Sequence, residues 1–125
     1  MKLKLILIIT PLFLASCFAA FVAGGAAGAG TVAYIGGQLS VVEEVGLDRA
    51  YRASQSALQE LEFKIVKDQK DAFSAFLEAS GATSKKITVN LKRQTDRLTE
   101  IKIRVGVFGD EAVSRKIHEK IKLRL

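Results

Sequence analysis

The chain has 125 residues, which is enough for one domain with a short appendage but not for two. Hydrophobic residues make up 49% of it, a fraction that excludes a disordered tail. A single cysteine and a single histidine exclude an internal disulfide, a cysteine zinc site and a multi-histidine metal centre. We therefore expect no cofactor and no metal. The net charge of +6, from 19 Lys+Arg and 13 Asp+Glu, is modest and gives no reason to expect a nucleic-acid partner.

The N-terminus has the pattern of an export signal. Lys2 and Lys4 form a positive region, and residues 5–14 form an apolar region that ends in small residues before Cys17. A helix of about ten residues is roughly 15 Å long, half of the ~30 Å hydrocarbon thickness of a bilayer, so it is too short to be a finished anchor. The pattern therefore predicts a signal peptide over residues 1–16.

The tetrapeptide Leu14-Ala15-Ser16-Cys17 resembles the lipobox of bacterial lipoproteins. The resemblance implies that the Cys17 thiol is acylated with diacylglycerol and that cleavage occurs just before it. One acyl chain gives only marginal membrane binding, whereas two or more hold a protein firmly. Phe18 stands where aspartate would retain such a lipoprotein in the inner membrane, so the resemblance favours the outer membrane, facing the periplasm.

Residues 17–37 are rich in glycine and alanine and carry no charge. One interpretation is a flexible stem between the lipidated cysteine and a folded domain. The alternative is a membrane-inserted helix over residues 18–37, which oligomerises through the G-x-x-x-G spacing of Gly24 and Gly28. Six glycines weaken a helix by nearly 1 kcal/mol each relative to alanine, and this cost favours the stem.

Residues 38–125 have the hydrophobic patterns of an α+β domain. Two-residue alternation predicts strands around residues 38–45, 63–65, 73–78, 86–92 and 100–107. Apolar residues at steps of three and four predict helices over residues 47–61 and 112–124. The order β-α-β-β-β-β-α, with short connections, predicts an antiparallel sheet of about five strands with both helices on its dry face.

A few side chains are candidates for contact with a membrane or a partner. Phe76 falls on the polar side of its strand, where it either covers an edge of the core, which we favour, or is exposed in a groove between helix and sheet. An exposed aromatic there would indicate binding. The last helix is strongly basic and suits anionic lipid or an acidic partner. The candidate contacts are Phe76, Arg115, Lys116, Lys120, Lys122 and Arg124.

No spacing in the sequence indicates catalysis. His118 has no orienting carboxylate on its own helix face, so we expect it to be a solvated or rim residue. Asp68 and Asp71 are expected in a hairpin turn, where aspartate bonds its own backbone. Phe108 is expected to be a core residue beneath the closing helix.

Several pieces of the chain together resemble a family of small bacterial lipoproteins, domain of unknown function 3568. They are the cysteine motif, the run GAGTVAYIGG, the helix LDRAYRASQSALQELEF and the tail IRVGVFGDEAVSRKIHEKI. The resemblance implies an α+β domain on a lipid tether and carries over no catalytic residue. We therefore expect a non-enzymatic cell-envelope module that binds an envelope protein or a small apolar ligand, or supports envelope assembly.

Overall fold

The computed structural model describes residues 30–81 and 84–125. The expected signal peptide, Cys17 and the stem up to residue 29 lie outside the described residues. Within the described ranges, six strands and two helices form around one core. The predicted α+β class, with an antiparallel sheet, is confirmed.

The six strands form one sheet in which every neighbouring pair is antiparallel. In chain order they are β1 (Val32–Ile35), β2 (Gln38–Glu43), β3 (Lys64–Lys70), β4 (Ser74–Ser80), β5 (Lys86–Thr95) and β6 (Leu98–Val105). Their order across the sheet is β1-β2-β6-β5-β4-β3. The strands β3 to β6 are joined by short connections, whereas β2 pairs with β6, which comes far later in the chain.

Two helices cover one face of this sheet. Helix α1 (Leu47–Glu60) begins after Gly46 and carries Asp48 in its first turn, where a negative charge suits the helix dipole. Helix α2 (Glu111–Leu123) begins after Asp110, whose side chain accepts a hydrogen bond from the Val113 amide. This N-cap satisfies a donor that would otherwise have no partner at the helix end.

The core lies between the helices and the face of the sheet that they cover. Alternate side chains of β2, β4, β5 and β6 are buried, while the residues between them are more exposed. The largest fully buried side chains come from both layers: Leu39, Leu77, Ile87, Leu91, Ile101 and Ile103 from strands, and Leu58, Ile117 and Ile121 from helices. Burying such side chains contributes about 1.5–3 kcal/mol each.

The sheet has one strand more than the sequence pattern predicts. Strand β1 lies within the range interpreted as a stem, so the predicted boundary at residue 38 falls inside the β1–β2 hairpin. The alternation of apolar and polar side chains that predicts a strand cannot be recognised there, because no side chain in the segment is charged. Tyr34 nevertheless packs against the core, and Gly36 and Gly37 form the turn with positive φ angles of 61° and 82°.

Two further expectations differ from the structure. Asp68 lies within β3, and the turn that follows begins at Asp71, whose carboxylate accepts from the amides of Phe73 and Ser74. Phe108 is 94% exposed and not part of the core. It lies in the loop between β6 and α2, and tertiary contacts of that loop, which local pattern does not reveal, decide where it points.

The loop at Phe108 touches the β1–β2 turn, and glycine is required for this contact. A Cβ at Gly109, where φ is +84°, would lie 2.4 Å from the Gly37 oxygen and 2.6 Å from the Tyr34 hydroxyl. At Gly36, where φ is +61°, a Cβ would meet nothing within 4 Å. The two glycines therefore share a left-handed backbone and differ in the space around them.

We expect Gly109→Ala to destabilise the protein much more than Gly36→Ala. Both changes incur the backbone cost of about 1–2 kcal/mol, and Gly109→Ala adds overpacking of about 1–3 kcal/mol. Urea unfolding of both variants measures the difference in unfolding free energy. Equal losses would contradict the close approach of the loop and the turn.

Candidate functional site

The face of the sheet opposite the helices, called here the open face, is rich in lysine and arginine. It consists of the strand residues that alternate with the core residues along each strand and pair with one another across the sheet. Its cations are Lys64, Lys67, Lys86, Lys92, Lys102 and Arg104, and its acids are Glu78 and Glu100. Six cations against two acids make this face basic.

Both acids of the open face are already paired. Glu78 lies 3.0 Å from the Lys86 ammonium, and Glu100 lies 3.1 Å from that of Lys102. Lys64, Lys67, Lys92 and Arg104 make no ion pair within the described part of the chain.

Arg104 holds the ends of two loops together through its guanidinium. It donates to the Gly36 oxygen at 2.9 Å and to the Val107 oxygen at 3.2 Å. Both acceptors are neutral, so the positive charge of Arg104 is not cancelled there.

Phe76 lies on the open face, where the sequence pattern places it, and is partly buried. It lines a groove of about 840 Å³ together with Phe73, Lys92 and Lys102. Phe73 precedes β4 and is 72% exposed. The groove therefore combines aromatic surface with positive charge.

A second groove, of about 590 Å³, lies at the other end of the open face. Val107 and Phe108, which are 84% and 94% exposed, line it beside Lys86 and Arg104. Sequence reasoning missed this region, although two consecutive large apolar residues before the Gly109-Asp110 cap are a usable signal for an exposed apolar loop.

The basic side chains of α2 divide into paired and unpaired groups. Arg115 pairs with Glu111 at 3.0 Å. Lys120 and Arg124 reach Glu60 of α1, and the Arg124 hydrogen bond is the main cause that lowers the pKa of Glu60. The two remaining candidate contacts, Lys116 and Lys122, are exposed and make no ion pair among the described residues. Most of the basic surface of α2 is therefore used within the fold.

His118 lies at the rim of the core and has a carboxylate partner that the sequence does not reveal. Its Nε2 atom is 2.7 Å from Glu43 of β2, and the two side chains are only 12% and 13% exposed. The residues are 75 positions apart, so no local spacing could have found the pair. The His118–Glu43 pair joins α2 to β2.

A polar cluster joins α1 to the edge strand β3. The Tyr51 hydroxyl donates to Asp68, and this hydrogen bond raises the pKa of Tyr51 to about 12. Gln55 donates to the other oxygen of Asp68 at 2.6 Å. Lys70 lies 2.5 Å from Asp48, and its hydrogen bond lowers the pKa of Asp48. Asp68, expected in a turn, thus helps to hold the helix on the sheet.

These features define a small α+β domain with a helix-covered apolar face and an exposed basic face. The family model described as a protein of unknown function, DUF3568, matches residues 1–124, and the chain belongs to this family. Comparison with curated proteins found no similar sequence.

Among the described residues, no helix is both long and apolar enough to cross a membrane. In the same ranges, no group of three or more acidic, histidine or cysteine side chains could hold a metal.

We expect His118 and Glu43 to show strong energetic coupling. Removing one partner leaves the other buried without its hydrogen bond, at a cost of about 1–3 kcal/mol. A double-mutant cycle with His118→Ala and Glu43→Ala, measured by urea unfolding, gives the coupling. The exposed pair Arg115–Glu111 is the control, with coupling of about 0.3–0.5 kcal/mol. Equal coupling in both pairs would contradict a structural role for His118.

We expect Tyr51 to titrate near pH 12 and Asp68→Asn to bring its pKa back towards 10. The folded-state pKa exceeds that of an unfolded chain, so the hydrogen bond stabilises the protein below about pH 10. This contribution is lost as the pH rises from about 10 to about 12. Ultraviolet titration of the tyrosines measures the shift, with Asp71→Asn as a control that leaves Tyr51 unchanged. An unaltered profile in Asp68→Asn would contradict the assignment.

Proposed function

We propose that the protein is a lipid-anchored, non-enzymatic module of the bacterial cell envelope. The observation that carries this proposal is the cysteine motif Leu14-Ala15-Ser16-Cys17, placed directly after a positive region and a short apolar region. Diacylglycerol and a further acyl chain on Cys17 would bury enough CH₂ groups, at about 0.8 kcal/mol each, for stable attachment.

The distance between the cysteine and the folded domain supports a tether. Twelve residues, from Phe18 to Ala29, separate Cys17 from the first described residue. Fully extended, a chain of that length spans at most about 40 Å. The domain would therefore stay within one molecular diameter or so of the membrane that holds the lipid.

A binding or supporting role fits the polar groups better than catalysis does. The pair His118–Glu43 and the cluster of Tyr51 with Asp68 each join a helix to a strand, so these titratable groups serve the fold. The exposed features are instead two grooves with aromatic and basic linings. We propose the outer membrane, facing the periplasm, as the location, because Phe18 follows the cysteine.

We expect Cys17→Ala to release the protein from its membrane or leave it as an unprocessed precursor. The thioether cannot form without the sulfur, and the signal peptide is then not removed at residue 17. Mass spectrometry of the N-terminal peptide from the unsubstituted chain should show acylated Cys17 as the first residue. Phe18→Ala, which keeps the sulfur, serves as the matched control and should remain acylated.

A chain that begins at Met1 with a free thiol would contradict the proposal. A membrane-inserted helix over the whole range 18–37 does not fit the structure, because Val32–Ile35 form β1 and pair with β2. If Cys17→Ala were processed and retained like the unsubstituted chain, membrane insertion of the residues before Gly30 would be favoured instead. Gly24→Leu and Gly28→Leu would then disrupt oligomers, which crosslinking in membranes measures.

A further inference from the structure

We propose that the open face of the sheet docks on the surface of an anionic lipid bilayer. The inference extends the proposed function, since it adds an orientation to a tethered domain. It rests on where the net charge of the domain lies and on the exposed apolar side chains at both ends of that face.

The net charge of the domain is confined to the open face. Of the 19 Lys and Arg residues, all but Lys2 and Lys4 follow Gly30, so 17 cations stand against 13 acids. The open face contributes six of these cations and two of the acids, a net charge of +4. The remaining 11 cations and 11 acids cancel. The rest of the domain is therefore neutral overall, and the open face attracts anions.

The cations are spread over β3, β5 and β6 and are not gathered at one point. Lys64 and Lys67 lie on the edge strand β3, Lys92 lies on β5, and Arg104 lies on β6. Strand β5 has 10 residues and is about 33 Å long, and neighbouring strands are about 4.8 Å apart. A broad array of this kind matches a surface with distributed negative charge better than it matches one small anion.

Exposed apolar side chains lie at both ends of this array. Val107 and Phe108 stand at one end, and Phe73 stands at the other, each more than 70% exposed. Ile35, on the open-face side of β1, is 77% exposed and directly precedes the turn that touches the Phe108 loop. Apolar side chains of this kind gain free energy when they enter the boundary between headgroups and acyl chains.

An anionic bilayer is complementary both to the cations of the open face and to its exposed apolar side chains. Its phosphate groups face the lysines, and the hydrocarbon just below them accepts the aromatic ends. The linker of twelve residues allows this orientation, because its reach of about 40 Å exceeds the roughly 20 Å between Gly30 and the β1–β2 turn. Lipid attachment would also hold the face near the membrane, where a weak interaction suffices.

Tryptophan reporters test the contact directly, because the chain contains no tryptophan of its own. The full-length protein is made with Phe108→Trp, Phe73→Trp or Leu123→Trp. All three positions are more than 70% exposed, and Leu123 lies at the end of α2, on the helix side. Each protein is reconstituted into phosphatidylcholine vesicles with or without 30% phosphatidylglycerol. Brominated lipids quench any tryptophan that enters the bilayer interface.

With phosphatidylglycerol present, we expect blue-shifted and quenched emission from positions 108 and 73 and unchanged emission from 123. Adding 0.5 M salt should reverse the change, because salt screens exposed charges. Lys67→Gln/Lys92→Gln should weaken the response about fivefold per lysine. The matched control Lys116→Gln/Lys122→Gln removes the same charge from exposed positions of α2 and should leave the response intact.

The outcomes separate docking from anchoring. If the protein sediments with phosphatidylcholine vesicles but positions 108 and 73 do not respond to phosphatidylglycerol, the docking proposal is overturned while the lipid anchor stands. A response at those positions without retention on neutral vesicles supports docking and argues against the anchor. Quenching at position 123, or equal losses in both lysine pairs, would also overturn docking by the open face.

Discussion

The two-residue alternation of the strands is the constraint on which the rest of the structure depends. It sends most apolar side chains of β2, β4, β5 and β6 to one face, where α1 and α2 exclude water, with Val42 and Phe76 as exceptions on the open face. The same alternation sends Lys86, Lys92, Lys102 and Arg104 to the other face. Core formation and surface charge are thus two results of one register, and a shift by a single residue would lose both.

Helix α1 illustrates how much of the fold the sequence predicts. Its apolar period places it at residues 47–61, and the structure has it at Leu47–Glu60. The signals are local there, since Gly46 precedes the helix and Asp48 occupies its first turn. Strand β1 was missed because Val32–Ile35 is neutral throughout, and only pairing with β2 reveals which side chains face the core.

The candidate site is less predictable because its parts meet only in the folded chain. The alternation of apolar and charged residues around Lys102 and Arg104 does predict a solvent-exposed face for this strand. The contribution of Lys64 and Lys67 depends on a bulge between Ile65 and Lys67, which changes the register of β3 against β4. The partner of His118 and the position of Phe108 depend on elements that are distant in sequence. These features follow from tertiary contacts, which periodicity does not encode.

The pairing of β2 with β6 also governs when the chain can fold. Leu39 lies opposite Ile103, so the centre of the sheet closes only after about three quarters of the domain are present, and α2 comes later still. Contacts of such long sequence separation slow folding, because the loop between them must be ordered first. The sheet therefore cannot be completed until the C-terminal segment is available, a property that would suit the export proposed for this chain, since a translocation channel passes unfolded polypeptide.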